Sequence, residues 1–252
     1  MAEAPRPGKV TAADATDDPW QCSIQLTSID DGRSVGTVRP VQAGDEPLLV
    51  AFGREGLSAE SRGKFECYKW MSDELVAELT AAIKLSLEKR DLHLVALDAD
   101  QSVVGYIFLW AASGAIPELG LAIADQWQGR GLGPALLKLV EQMGRKMGRQ
   151  ALELTTMQEN QRALGVYKRA GWTHLGLIHN PLGCDVPAAF EGKATPTGIA
   201  VENHCVLILD EAKREETLAQ LGEKRERAVR IFPVPEGALD ERGIWRKPAP
   251  SS

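Results

Sequence analysis

Cysteine is scarce and scattered: the four in 252 residues, Cys22, Cys67, Cys184 and Cys205, form no Cys-x-x-Cys pair. That pattern supplies neither a disulfide framework nor a zinc knuckle, and reduced thiols in the cytoplasm fit it best. Histidine is as sparse, and His174 and His179 are at a spacing that suits no helical metal pair, so no metal is expected. Long apolar runs are missing too. The longest, 103–112, is too short to cross a bilayer, and no basic start followed by an apolar core marks a signal peptide. Neither a membrane partner nor export is expected, which leaves a cytoplasmic location. Basic charge is also in deficit, with 29 Lys and Arg against 35 Asp and Glu for a net charge of -6. That balance argues against nucleic acid as the main partner and leaves basic substrates open. A hydrophobic content of 44% is ordinary, and 252 residues suffice for one domain with extensions or two small ones.

Apolar periodicity organises the rest. Residues 1–20, rich in Ala, Pro and Asp without a period, read as a disordered leader. Strands are expected at 22–28 and 34–41 around the tight turn Asp30-Asp31-Gly32-Arg33, and short helices at 47–54 and 58–64. Ser72 is the expected cap of a helix with Leu75, Val76, Leu79, Ala82, Ile83 and Leu87 on one face and Met71 stapled onto Val76. A hairpin of strands at 92–97 and 102–110 leads to a strand at 118–124. The helix at 132–147 buries Leu132, Ala135, Leu136, Leu139, Val140, Met143 and Met147. A strand at 151–156, a helix at 161–170 and strands at 172–178 and 205–209 follow. The stretch 179–202 carries Pro181, Gly183, Pro187, Gly192, Pro196 and Gly198 and reads as a long loop. Beyond it, a charged helix from 211 to about 229 shows a thin stripe of Leu218 and Leu221, and 247–252 reads as a disordered tail. The expected division is therefore a leader at 1–20, a domain at 21–210, and a helix with tail at 211–252.

The most informative stretch is Gln128-Gly129-Arg130-Gly131-Leu132-Gly133, between the expected strand and the long helix. A strand that turns through glycines into a helix aims several N–H groups and the positive end of the helix dipole at one spot, which suits a diphosphate. A side chain at Gly129, Gly131 or Gly133 would hold the phosphate off or demand an awkward φ. A Walker loop would end in Gly-Lys-Ser/Thr, but Pro134 and Ala135 follow Gly133, which argues against ATP or GTP. A dinucleotide fingerprint would have a third glycine, which is absent, although Glu153 lies at a tolerable distance. The segment resembles the acetyl-CoA loop of the GNAT family of N-acetyltransferases, Gln/Arg-x-x-Gly-x-Gly/Ala, filled by Gln128, Gly131 and Gly133. Asn160, Ala163, Tyr167, Gly171 and Trp172 follow in that family's order, and Glu118 precedes Leu119-Gly120-Leu121-Ala122-Ile123-Ala124. The resemblance covers roughly residues 37–210. Within it, Val38-Arg39-Pro40-Val41, Asp45-Glu46-Pro47 and Leu57-Ser58-Ala59-Glu60 look like bacterial Pat-type protein-lysine acetyltransferases, a likeness that fades after Arg62.

The resemblance implies an α/β (α+β) chain with the GNAT fold, a central mixed, mostly antiparallel sheet flanked by helices. It implies acetyl-CoA as co-substrate, no metal, and transfer of the acetyl group to a primary amine by direct attack on the thioester. Glu118 is the implied base, working through a water; a solvated carboxylate at a strand end is the plainer reading. Backbone N–H groups of Leu121, Ala122, Ile123 and Ala124 are implied to polarise the carbonyl. Gln128, Gly129, Arg130, Gly131, Leu132, Gly133 and Pro134 form the implied cradle, with Arg130 either pairing with phosphate or lying on the surface, and Trp127 packed beneath. Tyr167 is the implied acid toward the coenzyme thiolate, or a core tyrosine sharing a helical face with Ala163 and Leu164. Asn160 reads as a helix cap and, by resemblance, a contact to the pantetheine arm. The implied acceptor is a protein lysine. A small-molecule amine acetyltransferase and a non-catalytic acyl-CoA sensor are the rival readings, 179–202 is the expected lid, and the oligomeric state is open, with a homodimer as one option.

Overall fold

Six strands build the first of two units, Met1–Leu152 and Glu153–Ser252, in a computed structural model that describes residues 8–184 and 186–247. These are β1 (Val10–Ala12), β2 (Ile24–Ser28), β3 (Ser34–Pro40), β4 (Leu92–Asp98), β5 (Val103–Trp110) and β6 (Glu118–Ile123). They pair in chain order, each antiparallel to the next. Helices α1 (Glu46–Ala51), α2 (Ala59–Gly63) and α3 (Leu75–Leu87) lie between β3 and β4, and α1 continues into a wider π-type turn at Phe52–Gly56. Helix α4 (Leu132–Lys146) follows β6.

Strands β4 and β5 are buried along almost their whole length because both of their faces are covered. A Cβ at Gly105 would touch Leu136 of α4, whereas the ring of the next residue, Tyr106, packs edge-on against Phe52. Consecutive strand residues point to opposite faces, so α4 covers one side of β5 and the Phe52 aromatic cluster the other. Helix α4 buries Leu132, Leu136, Leu139, Val140 and Met143 as its period predicts, with Lys138, Arg145 and Lys146 exposed. Ala135 and Met147 are only partly covered.

Two expectations in this unit are corrected. The leader is not without structure: Val10–Ala12 pairs with β2 and Pro19–Gln21 forms a short turn, while residues 1–7 lie outside the described residues. Helix α3 starts at Leu75 with Glu74 at its cap position, and Ser72 Oγ accepts the Glu74 N–H at 3.1 Å one turn early. Its buried face is Leu75, Leu79, Ala82, Ile83 and Ser86, and Val76 and Leu87 are exposed because each lies about 100° or more around the helix from Leu75. Met71 is exposed as well, so no staple holds it inward.

Strand β7 (Ala151–Met157) runs into the second unit from its third residue, and α5 (Gln161–Arg169), β8 (Thr173–Leu182), α6 (Val186–Phe190), β9 (Gly198–Ile208), α7 (Arg214–Ile231) and β10 (Ile244–Arg246) follow there. Strand β9 pairs antiparallel with β8 from Thr173↔Val206 to Leu182↔Gly198 and with β10, and β7 is its further neighbour. The two ends of the expected long loop, 179–182 and 198–202, belong to this ladder, and the stretch between them carries α6. Pro181 misled because proline is rare inside sheets, yet β8 is an edge strand that tolerates a missing N–H. Helix α7 buries Thr217, Leu221 and Ala228, and Leu218 is only half-buried, so the stripe is rotated from the one expected. Residues 248–252 of the expected tail lie outside the described residues.

Candidate functional site

Gly129 and Gly131 take φ values of +79° and +86°, a region that costs other residues about 1–2 kcal/mol, and they turn the end of β6 into α4. Gly131 is the N-cap residue and offers no capping side chain. The first internal bond runs from Ala135 N–H to Gly131 O at 3.0 Å, and Pro134 has no N–H to give. Among the described residues, the N–H groups of Gly131, Leu132 and Gly133 have no acceptor, and the positive end of the α4 dipole stands behind them. Gly133 itself is helical, and a Cβ there would lie 3.9 Å from Ile123 Cγ1, an ordinary contact. The steric demand for glycine therefore holds at 129 and 131 and not at 133.

The side chain of Gln128 faces inward. Its Nε2 donates to Ile123 O (3.2 Å), Asp125 Oδ1 (3.2 Å) and Ser61 Oγ (3.3 Å), and its N–H donates to Asp125 O. Asp125 in turn accepts from Ser58 N–H at 3.1 Å and from Ser61 Oγ at 2.6 Å, which joins the loop to the start of α2. Burial pushes the Asp125 carboxyl up, but these bonds and the Arg62 charge together hold it below its ordinary value. Gln128 is thus a brace of the loop. The Arg130 guanidinium stands 5.8 Å from the centre of the buried Trp127 ring, which packs beneath the loop as expected.

Strand β6 sorts its amides by parity. Ala124 N–H donates to Val104 O at 2.9 Å, so Ala122 and Ala124 point their N–H groups at β5. Those of Leu121 and Ile123 point to the opposite edge. Only two of the four amides expected to polarise a carbonyl therefore face away from the β5 ladder.

Glu118 is half-buried, and its register partner is Trp110. Glu118, Gly120 and Ala122 share a sheet face with Trp110, Phe108 and Tyr106. Phe108 stacks on Trp110 with ring centres 4.6 Å apart and meets Phe65 at 6.0 Å, so an aromatic wall stands beside the carboxylate. It exists because Gly120 has no Cβ: one placed there would lie 2.7 Å from Phe108 Cε1. Behind the wall, His93 Nδ1 is 2.6 Å from Tyr106 Oη, which is 3.1 Å from Tyr68 Oη. His93 Nε2 faces Asp91 Oδ2 at 3.7 Å, an electrostatic contact too long for a hydrogen bond. Burial outweighs that contact and pulls the His93 pKa down, which favours the neutral ring. Sequence reasoning missed this wall and the serine braces, since neither forms a short motif; the close grouping of Phe65, Tyr68 and Trp70 was the available signal.

In the second unit, Asn160 caps α5: its Oδ1 accepts the Ala163 N–H at 3.3 Å, and its Nδ2 donates to Thr156 Oγ1 at 3.1 Å. Tyr167 is buried on α5, 5.9 Å from the Trp172 ring centre. Burial, then the nearby Cys205, pushes its pKa well above the ordinary phenol value. Elsewhere in this unit, Glu153 accepts from His204 Nε2 at 2.9 Å and Lys224 Nζ at 3.0 Å. Burial raises the Glu153 carboxyl, yet these partners hold it below its usual range, so it balances charge inside the unit and is no ribose ligand.

Unused amides at a glycine-turned helix start are the donor set an anionic diphosphate requires. Among the described residues, no group of three or more His, Cys, Asp or Glu is placed to hold a metal ion, and no helix is long and apolar enough to cross a membrane.

The family model described as Acetyltransferase (GNAT) family matches residues 60–172. An acetyltransferase from Agrobacterium fabrum is 34% identical over 113 residues, which are 45% of this chain and 80% of that protein. The GNAT domain of PAT from S. lividans superimposes with a TM-score of 0.51 at 21% identity, covering 75% of this chain and 97% of that one. Spermidine N-acetyltransferase from Vibrio cholerae, solved with CoA and spermine, gives a TM-score of 0.52 at 15% identity, covering 69% and 95%.

Proposed function

Because this chain belongs to the GNAT acetyltransferase family, with that family's mixed, mostly antiparallel sheet flanked by helices, we propose that its acetyl-CoA-dependent N-acetyltransferase activity acts on protein lysine side chains, in the manner of the Pat-type enzymes. The observation that carries the reading is the carboxylate of Glu118 set against the Phe108–Trp110 wall on one sheet face. The half-buried Trp110 ring, braced by the buried Phe108, suits the four-carbon stem of lysine and its cation, and the carboxylate lies where the ammonium arrives.

Acetyl-CoA supplies the activated acetyl group as a thioester when bound. The N–H groups of Gly131, Leu132 and Gly133 hold its diphosphate, with Gly129 allowing the turn and Arg130 adding a positive charge at the rim. Pro134 shapes the first helical turn without donating, and Gln128 holds the loop from behind. Leu121 and Ile123 N–H groups donate to the thioester carbonyl oxygen. An alkylamine of pKa about 10.4 is only about one part in two thousand neutral at pH 7, so a base must take a proton before the nitrogen can attack. Glu118 takes it through a water. Asn160 carries out its cap and touches the pantetheine arm. The raised pKa of Tyr167 makes it a poor acid, so its hydroxyl gives the departing thiolate a hydrogen bond and keeps its proton.

Release of free CoA, followed with a thiol reagent across a panel of acceptors, tests the reading. Turnover with lysine peptides that exceeds turnover with polyamines and other small amines supports it. The reverse preference moves the acceptor to small molecules, and binding of acetyl-CoA without turnover on any amine leaves only a sensor.

A further inference from the structure

Strand β1 reaches the glycine loop. Lys9 O accepts the Ile29 N–H at 2.7 Å and Ala13 N–H donates to Gln25 O at 3.1 Å, so the odd-numbered residues of this segment bond to β2 and its outgoing chain. Val10 faces the other way, and its N–H donates to Arg130 O at 2.8 Å. The Arg130 carbonyl and the Gly131 N–H belong to one trans peptide plane and point in opposite directions. A bond that pins the carbonyl from the β1 side therefore aims the Gly131 N–H away from β1. The approach also demands glycine at 131 for a reason unrelated to ligand: a Cβ there would lie 3.0 Å from Val10 O.

Beyond this contact the segment is fastened along α4. Val10 is buried, Ala15 N–H donates to Gln142 Oε1 at 2.9 Å, Gln142 Nε2 donates to Asp14 Oδ1 at 2.7 Å, and Lys146 Nζ meets Asp17 Oδ1 at 2.6 Å. These anchors let the Val10 bond hold a loop whose glycines would otherwise make it the softest part of the unit.

We propose that Val10 is a positioning residue for coenzyme binding: β1 clamps the Arg130–Gly131 peptide so that the Gly131, Leu132 and Gly133 amides are already aimed when a diphosphate arrives. The proposal rests on the reading of this loop as a diphosphate cradle. A donor held in place before binding loses no freedom when the anion is bound, so releasing the clamp weakens affinity without touching the chemistry.

Val10→Pro removes the N–H, and Val10→Ala keeps it while trimming the buried side chain. In V10P, the Kd for CoA and the KM for acetyl-CoA rise about tenfold, the cost of misaiming one donor to a charged group. Its kcat, its KM for the amine, and its KM for S-acetylpantetheine, which lacks the diphosphate, stay at wild-type values. V10A melts earlier but binds CoA as the wild type does. CoA affinity unchanged in V10P, equal weakening in V10A, or an equal shift with S-acetylpantetheine overturns the proposal. Should V10P fail to fold, an amide-to-ester replacement at Val10, made by ligating a synthetic 1–21 segment onto Cys22, removes the same N–H at constant shape and is read the same way. The backbone order parameter of Gly131 in coenzyme-free protein separates the two ideas. It falls in V10P if the clamp is real, even if the wild type binds no CoA and the cradle reading fails; an unchanged value refutes the clamp alone.

Discussion

Gly120→Ala tests the aromatic wall beside Glu118. A methyl on Gly120 would lie 2.5 and 2.7 Å from the two Cε atoms of Phe108 and closer still to Cζ, well inside contact distance. Phe108 is 1% exposed and hemmed in by Trp110 at 4.6 Å, His93 at 5.2 Å, Tyr106 at 5.5 Å and Phe65 at 6.0 Å between ring centres, so the ring has nowhere to go. Overpacking of this kind costs about 3 kcal/mol at its upper end. Replacing a strand glycine returns about 0.5–1 kcal/mol, for a net loss of about 2 kcal/mol. In a chain of this size that lowers Tm by about 4–8 °C. Any strain passed to the stacked Trp110, the register partner of Glu118, lowers kcat as well. Phe108→Leu in the same chain relieves the clash, and the pair is less damaging than the sum of the singles by at least about 1 kcal/mol. Urea and thermal melts of the four proteins measure it. A Gly120→Ala melt within about 1 °C of the wild type, or strict additivity in the cycle, refutes the packing argument.

Glu118→Gln keeps the shape of the base and removes its proton affinity; kcat in the CoA-release assay falls about 10²–10⁴-fold while CoA affinity measured by calorimetry is unchanged, and an unaltered rate discards the assignment. Tyr167→Phe lowers kcat by about tenfold, the worth of one hydrogen bond to a charged atom, and leaves Tm nearly unchanged; loss of folding with no specific rate effect assigns the residue to packing. Glu153 has a depressed folded pKa, so its contribution to stability is full above the ordinary glutamate value of about 4.3 and is lost as pH falls through the folded value. The wild type therefore loses more Tm between pH 6 and pH 3.5 than Glu153→Gln does, and equal losses contradict the buried charge balance.

Local signals carried the reading of the core machinery. The strand, glycine turn and helix around Gln128 to Gly133 were legible because φ-permissive residues, apolar period and the absent Walker lysine all occur within one short window. Asn160 was legible as a cap for the same reason. What could not be read depends on partners far along the chain. Strand β1 is three residues held by β2 and one loop carbonyl, too short for any period to register. Strand β9 starts seven residues before the expected point because Gly198, Asn203 and His204 interrupt its apolar pattern, yet Asn203 and His204 find partners at Met157 and Glu153. The amides of β6 divide by parity, which only the register with β5 reveals. Thr217 and Ala228 of α7 gave no hydrophobic signal, although a helix face can be buried with small residues.

Titration of ¹⁵N-labelled protein with acetyl-CoA, followed amide by amide, tests the central claim most directly. The account predicts that Gly131, Leu132 and Gly133 N–H resonances show the largest downfield shifts, saturating together as donors to a diphosphate do. Binding that leaves those three amides unmoved while others shift would contradict it.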